Sequence, residues 1–111
     1  ANAHADVRVL DTICSPTRAR IEALEQLLPR VDALVVVGGR DSNNTRQLVA
    51  RGERHGVRTH HVESARELRA DWFDGVQAVG LTAGTSTLAR TIEEVHGWLV
   101  RLAAGRAGRS A

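Results

Sequence analysis

Cysteine is nearly absent from this chain: Cys14 stands alone, which excludes an internal disulfide. No apolar stretch approaches the roughly 20 residues that a membrane-crossing helix needs, so no membrane role is expected. Aromatic residues make up only 3% of the chain, too few for a platform that stacks nucleobases. Lysine is missing altogether; the 15 basic residues are all arginine, scattered from Arg8 to Arg109, and 13 acidic residues leave a formal charge of +2. That balance lacks the massed basic stripe of a nucleic-acid binder, so no nucleic-acid partner is expected. Methionine is also missing, which implies either an initiator trimmed ahead of Ala1 or a piece of a longer protein. No charged leader followed by an apolar run and a cleavage site opens the sequence, and with the lone thiol this makes a reducing cytoplasm the expected location.

What is present suffices for one hydrophobic core. The 111 residues are 42% hydrophobic and predict a single domain over residues 1–104, followed by a small, polar, flexible tail from Gly105 to Ala111. Val7–Ile13 reads as a first strand. Ser15 is the expected N-cap and Pro16 the opening of a helix whose apolar stripe is Ile21, Leu24, Leu27 and Leu28, closed by Pro29. Ala33–Val37, ALVVV, is short, unbroken and β-branched, the pattern of a central strand buried on both faces. A polar turn over Arg40–Thr45 leads into a helix carrying Leu48 and Val49 that ends near Gly56. Val57–Val62 is the third strand, Ala65–Leu68 begins a short helix, and Ala78–Thr82 is the fourth strand. A last helix from about Ser86 to Ala103 aligns Leu88, Ile92, Val95, Leu99 and Leu102. This alternation implies an α/β domain of three layers, with a parallel sheet of about four strands flanked by helices.

In such sheets ligands collect at the carboxyl ends of the strands. Three polar segments leave those ends: Asp11–Thr17, Gly38–Thr45 and Thr82–Thr87. The first offers Cys14 on a strand-to-helix turn, where backbone N–H groups and the helix dipole favour a thiolate; its plainer reading is a small buried hydrophobe. The second places Ser42, Asn43 and Asn44 at a helix start behind two glycines. Such a turn can hold phosphate, or can simply cap and solvate the helix. The third, Thr82-Ala83-Gly84-Thr85-Ser86-Thr87, repeats the arrangement, and two such turns on one rim suggest the two ends of a diphosphate. Neither a Walker loop nor a dinucleotide fingerprint is present. His55, His60 and His61 raise the question of a metal site, but His60 and His61 are adjacent on a strand and point to opposite faces, so His60 or His61 is expected as a surface residue at a strand edge rather than as a metal ligand. Asp71-Trp72-Phe73 reads as a helix end with aromatic packing, and Trp98 as core or interface.

In order, DTICSPTRARIEAL, LVVVGGRDSNNTRQL and AVGLTAGTSTL resemble the LytB/IspH family of 4-hydroxy-3-methylbut-2-enyl diphosphate reductases: its last cluster cysteine, its polar diphosphate turn and its TAG-x-S turn. The similarity runs from about Leu10 to Leu99 and corresponds to the final third of that enzyme. It implies a parallel sheet with flanking helices. It also implies an iron-sulfur oxidoreductase of the non-mevalonate isoprenoid route, converting an allylic diphosphate to isopentenyl and dimethylallyl diphosphate. By this resemblance Cys14 is the third ligand of a [4Fe-4S] cluster, Ser42, Asn43, Asn44 and Ser86 hold the diphosphate, and Thr17 lies beside the cluster turn. The family's other two cysteines and its catalytic groups belong to preceding domains. The cluster is therefore implied only where further LytB-like domains or a partner chain complete it, no catalytic residue is assigned here, and the chain alone is expected to be inactive. The alternative is a stand-alone diphosphate-binding or interaction module without redox chemistry. A third reading is a structural α/β domain whose polar turns only cap helices.

Overall fold

The computed structural model describes residues 8–11, 20–84 and 87–109. Along the chain these form β1 (Arg8–Asp11), α1 (Arg20–Leu27), β2 (Ala33–Val37), α2 (Asn43–Arg54), β3 (Arg58–Val62), β4 (Ala78–Ala83) and α3 (Ala89–Arg109). Single 3-10 turns follow α1 at Leu28–Arg30 and join β3 to β4 at Ala65–Glu67 and Ala70–Phe73. Among the described residues the strands make a four-stranded, wholly parallel sheet in the order β1-β4-β2-β3.

The period of two along β2 decides what each face of the sheet buries. Leu34 and Val36 turn toward α1 and α2, where Leu24, Leu27, Leu28, Val31 and Leu48 complete one apolar cluster. Ala33, Val35 and Val37 turn the other way and join Val79, Leu81 and Ala83 of β4 against Val95 and Leu99 of α3 and Phe73 of the 3-10 connection. All five residues of β2 are fully buried, as an unbroken apolar strand predicts. Register between β2 and β4 is pinned at their amino ends by Asp32. Its carboxylate accepts from the N–H groups of Gln77 (2.9 Å) and Ala78 (3.1 Å), while its own N–H donates to the Ala78 carbonyl (2.9 Å).

Three local expectations are corrected. The last helix does not stop near Ala103 but runs to Arg109, so the Gly105–Ala111 tail is helical through Arg109. Arginine and alanine are strong helix formers, and glycine costs only about 1 kcal/mol per position against them. Leu88 does not lie on the core stripe; it precedes the first turn of α3 and is 71% exposed. His60 is not a free surface residue. β3 is indeed an edge strand, but the imidazole stacks on Trp72 with ring centroids 4.4 Å apart and planes 1° from parallel. Burial, and secondarily the charge of Arg58, push the His60 pKa down from its ordinary value.

Candidate functional site

Strand order determines which loops meet. β4 lies between β1 and β2, so the carboxyl ends of β1, β4 and β2, which precede the three polar segments, are neighbours. α2, which follows β2, packs on one face of the sheet, whereas α3, which follows β4, packs on the other. Adjacent parallel strands whose helices leave to opposite faces create a topological switch point, and the crevice outside it is where open α/β sheets bind ligands. The Gly38–Thr45 segment, and Thr82–Gly84 with Thr87, flank that crevice.

Both turns hang on the last residues of the strands. Gly84 N–H (2.9 Å) and Thr87 Oγ1 (3.1 Å) both donate to the carbonyl of Val37, and Gly38 N–H donates to the carbonyl of Val62 (3.0 Å). Ser42 is the N-cap of α2: its backbone is extended and its Oγ accepts from the Thr45 N–H at 3.3 Å. Asn43 and Asn44 form the first turn of the helix, Asn43 exposed and Asn44 half-buried, so the helix directs its amino end and dipole toward the rim. Of the residues singled out from sequence, Ser42, Asn43 and Asn44 are thus brought together here. Cys14, Thr17 and Ser86 lie outside the described residues.

Thr45 joins the two turns. Its side chain is fully buried, and a Cβ built on either Gly38 or Gly84 would come to 2.3 Å from its Oγ1. Only glycine permits both turns to close on this residue. Thr45 is β-branched and enclosed, so it cannot swing aside. Gly84→Ala is therefore expected to lower unfolding free energy by about 1–3 kcal/mol, the usual cost of overpacking. A urea midpoint that falls with an unchanged m-value would establish this, and an unchanged midpoint would contradict it.

Residues not foreseen from sequence brace the first turn. Arg40 Nη2 lies 2.7 Å from Glu67 Oε1, Arg40 Nε 3.4 Å from Glu63 Oε1, and the Arg40 N–H donates to Glu63 Oε2 at 3.1 Å. Arg46 Nε donates to the Arg40 carbonyl (3.0 Å). Two carboxylates engage the Nε and Nη2 edge of one guanidinium, so Arg40 braces the turn. His61 Nε2 sits 2.8 Å from the Gly38 carbonyl, and because a carbonyl only accepts, this nitrogen carries the proton. Behind the rim, Glu25 of α1 contacts Arg51 (3.1 Å) and His55 (3.3 Å) of α2. The hydrogen bond from Arg51 is the chief reason its carboxyl pKa is lowered.

The donor set for a metal is narrow. Among the described residues no group of three His, Cys, Asp or Glu side chains could hold an ion. A cubane iron-sulfur cluster rests on several thiolates, and this chain has one cysteine. Its residues by themselves do not fit such a group. Among the described residues, no helix is long and apolar enough to cross a membrane.

Fold and rim together define the class: a three-layer α/β domain with two glycine- and hydroxyl-bearing turns at the switch point of a parallel sheet. The chain belongs to the LytB protein family, whose model matches residues 1–100. It is 39% identical over 101 residues to the 4-hydroxy-3-methylbut-2-enyl diphosphate reductase of Aquifex aeolicus, covering 91% of this chain and 35% of that protein. It is 48% identical over 96 residues to the reductase of the same name from Anaeromyxobacter, covering 86% and 34%. A solved structure of (E)-4-hydroxy-3-methyl-but-2-enyl diphosphate reductase superposes with a TM-score of 0.72 at 39% identity, covering 77% of this chain and 30% of that one. The corresponding reductase from Plasmodium falciparum, at 24% identity, shares the fold with a TM-score of 0.72. The chain spans about a third of the length of these curated relatives.

Proposed function

We propose that this chain is the diphosphate-binding domain of a LytB-type reductase that acts on 4-hydroxy-3-methylbut-2-enyl diphosphate in isoprenoid biosynthesis. The observation that carries this reading is the meeting of two Gly/hydroxyl turns over Thr45 at the switch point, one of them opening a capped helix. Neutral donors suit a diphosphate there: backbone N–H groups and a helix dipole attract phosphate without lysine. In this reading Ser42, Asn43, Asn44 and Ser86 donate to the diphosphate oxygens, with Thr17 beside them. The matching relatives are named for a diphosphate substrate, which supports the same assignment.

In this reading Cys14 would be one thiolate of a [4Fe-4S] cluster whose other ligands come from further domains or a partner chain, and such a cluster would relay electrons from an external donor for reductive removal of the allylic hydroxyl. This chain's own part is to bind and orient the diphosphate end. A second reading, a binding module without redox chemistry, is favoured by the single cysteine.

Iron and acid-labile sulfide separate the two readings. After anaerobic reconstitution, the chain alone is expected to hold no stoichiometric cluster. Supplied with the remaining length of one of the related reductases as a separate polypeptide, it should acquire iron that is lost in Cys14→Ala. Iron that is indifferent to Cys14 would move the assignment to the binding module. Calorimetry with inorganic pyrophosphate tests what the readings share, and a wild-type chain that takes up none would sink both.

A further inference from the structure

We infer that Thr45 is a positioning residue that sets the spacing of the two anion-binding turns; the inference rests on the diphosphate reading above. Three observations lead to it. The Thr45 side chain is 0% exposed, yet its Oγ1 has no hydrogen-bond partner among the described residues. The hydroxyl is not used in capping, because Ser42 Oγ accepts from the backbone N–H of Thr45 and leaves the side chain idle. Finally, Oγ1 is the atom nearest to where a Cβ would stand on both Gly38 and Gly84, at 2.3 Å in each case, so it occupies the seam between the turns.

A buried hydroxyl without a partner costs stability, and valine would fill nearly the same volume without that cost. What distinguishes the oxygen is size. A C–H group can approach an oxygen to about 3.3 Å, whereas two carbons settle at about 3.5–4.0 Å. Placing a methyl at the Oγ1 position pushes against both glycine backbones at once and parts the two turns by a few tenths of an ångström. In the diphosphate reading, the two turns then no longer engage the ligand together. The hydroxyl is the smaller group at the point where the turns close. Thr45 need not touch the ligand; it acts through Gly38 and Gly84.

Titration of the 111-residue chain with inorganic pyrophosphate, paired with a thermal melt, tests this. Thr45→Val is expected to raise the pyrophosphate Kd about 10-fold while the melting midpoint changes little, because removing an unpartnered buried hydroxyl offsets the crowding by the added methyl. Thr45→Ser, which keeps the oxygen, should restore the Kd to within about threefold of wild type. That divergence of affinity from stability is one a merely structural residue would not produce. Wild-type affinity in Thr45→Val overturns the role, as does an equal loss of affinity and melting midpoint in both variants. A wild-type chain that binds no pyrophosphate defeats the diphosphate reading itself, and the role of Thr45 with it.

Discussion

Phe73→Ala is expected to reduce the unfolding free energy by about 3–5 kcal/mol, the range for truncating a buried aromatic side chain. Phe73 is the largest fully buried side chain among the described residues and links three other rings. Its centroid lies 5.8 Å from His60, 6.3 Å from Trp72 and 6.0 Å from Trp98, spanning β3, the 3-10 connection and α3. The contacts with His60 and Trp72 are edge-to-face and that with Trp98 is tilted; edge-to-face aromatic pairs add about 0.5–1.5 kcal/mol beyond the area they bury. A domain of this size has about 5–15 kcal/mol in total, so the variant should be largely unfolded in moderate urea where the wild type is folded. Phe73→Leu, which leaves less void, should lose less. A loss under about 1 kcal/mol in the alanine variant would show that this cluster is peripheral to the core.

Ser42→Ala combined with Ser86→Ala is expected to weaken pyrophosphate binding by about 10-fold or more. Each hydrogen bond to a charged group contributes about 1.5–3 kcal/mol, and 1.4 kcal/mol is one factor of ten in affinity. Ser42 has a second duty as N-cap of α2, so its removal also costs about 1 kcal/mol of stability. Ser42→Asp separates the duties, because aspartate caps as well as serine but places a negative charge against the diphosphate. That variant should melt like wild type and bind poorly. Unchanged calorimetric affinity in the double variant would remove both serines from the site and leave their turns as caps alone.

The strands were legible because their signals are local. Ala33–Val37 carries its apolar, β-branched run within five residues and forms a strand with those bounds. Gly84 and Gly38 could be marked as turn residues, but the need for both to be glycine depends on Thr45, which touches each from a different distance along the chain. The Arg40 bond to Glu67 spans 27 residues and joins two unremarkable charges, so nothing in either segment announces it. His60 read as an edge residue because strand alternation assigns a face without saying what covers it; the cover is Trp72, in a connection with no apolar periodicity.

By itself the sequence determined the alternation of strands and helices, the buried β2, the polar turns at strand ends and, through ordered motifs, the family. These follow from contacts and dihedral preferences a few residues apart, or from patterns carried whole along the chain. Only the tertiary structure decided that β4 inserts between β1 and β2 and that α2 and α3 leave to opposite faces, so that the two turns close on one buried threonine. Strand order is a property of long-range packing. Both faces of this sheet are covered, so the unbroken apolar run of β2 shows that it is interior without saying which strands lie beside it.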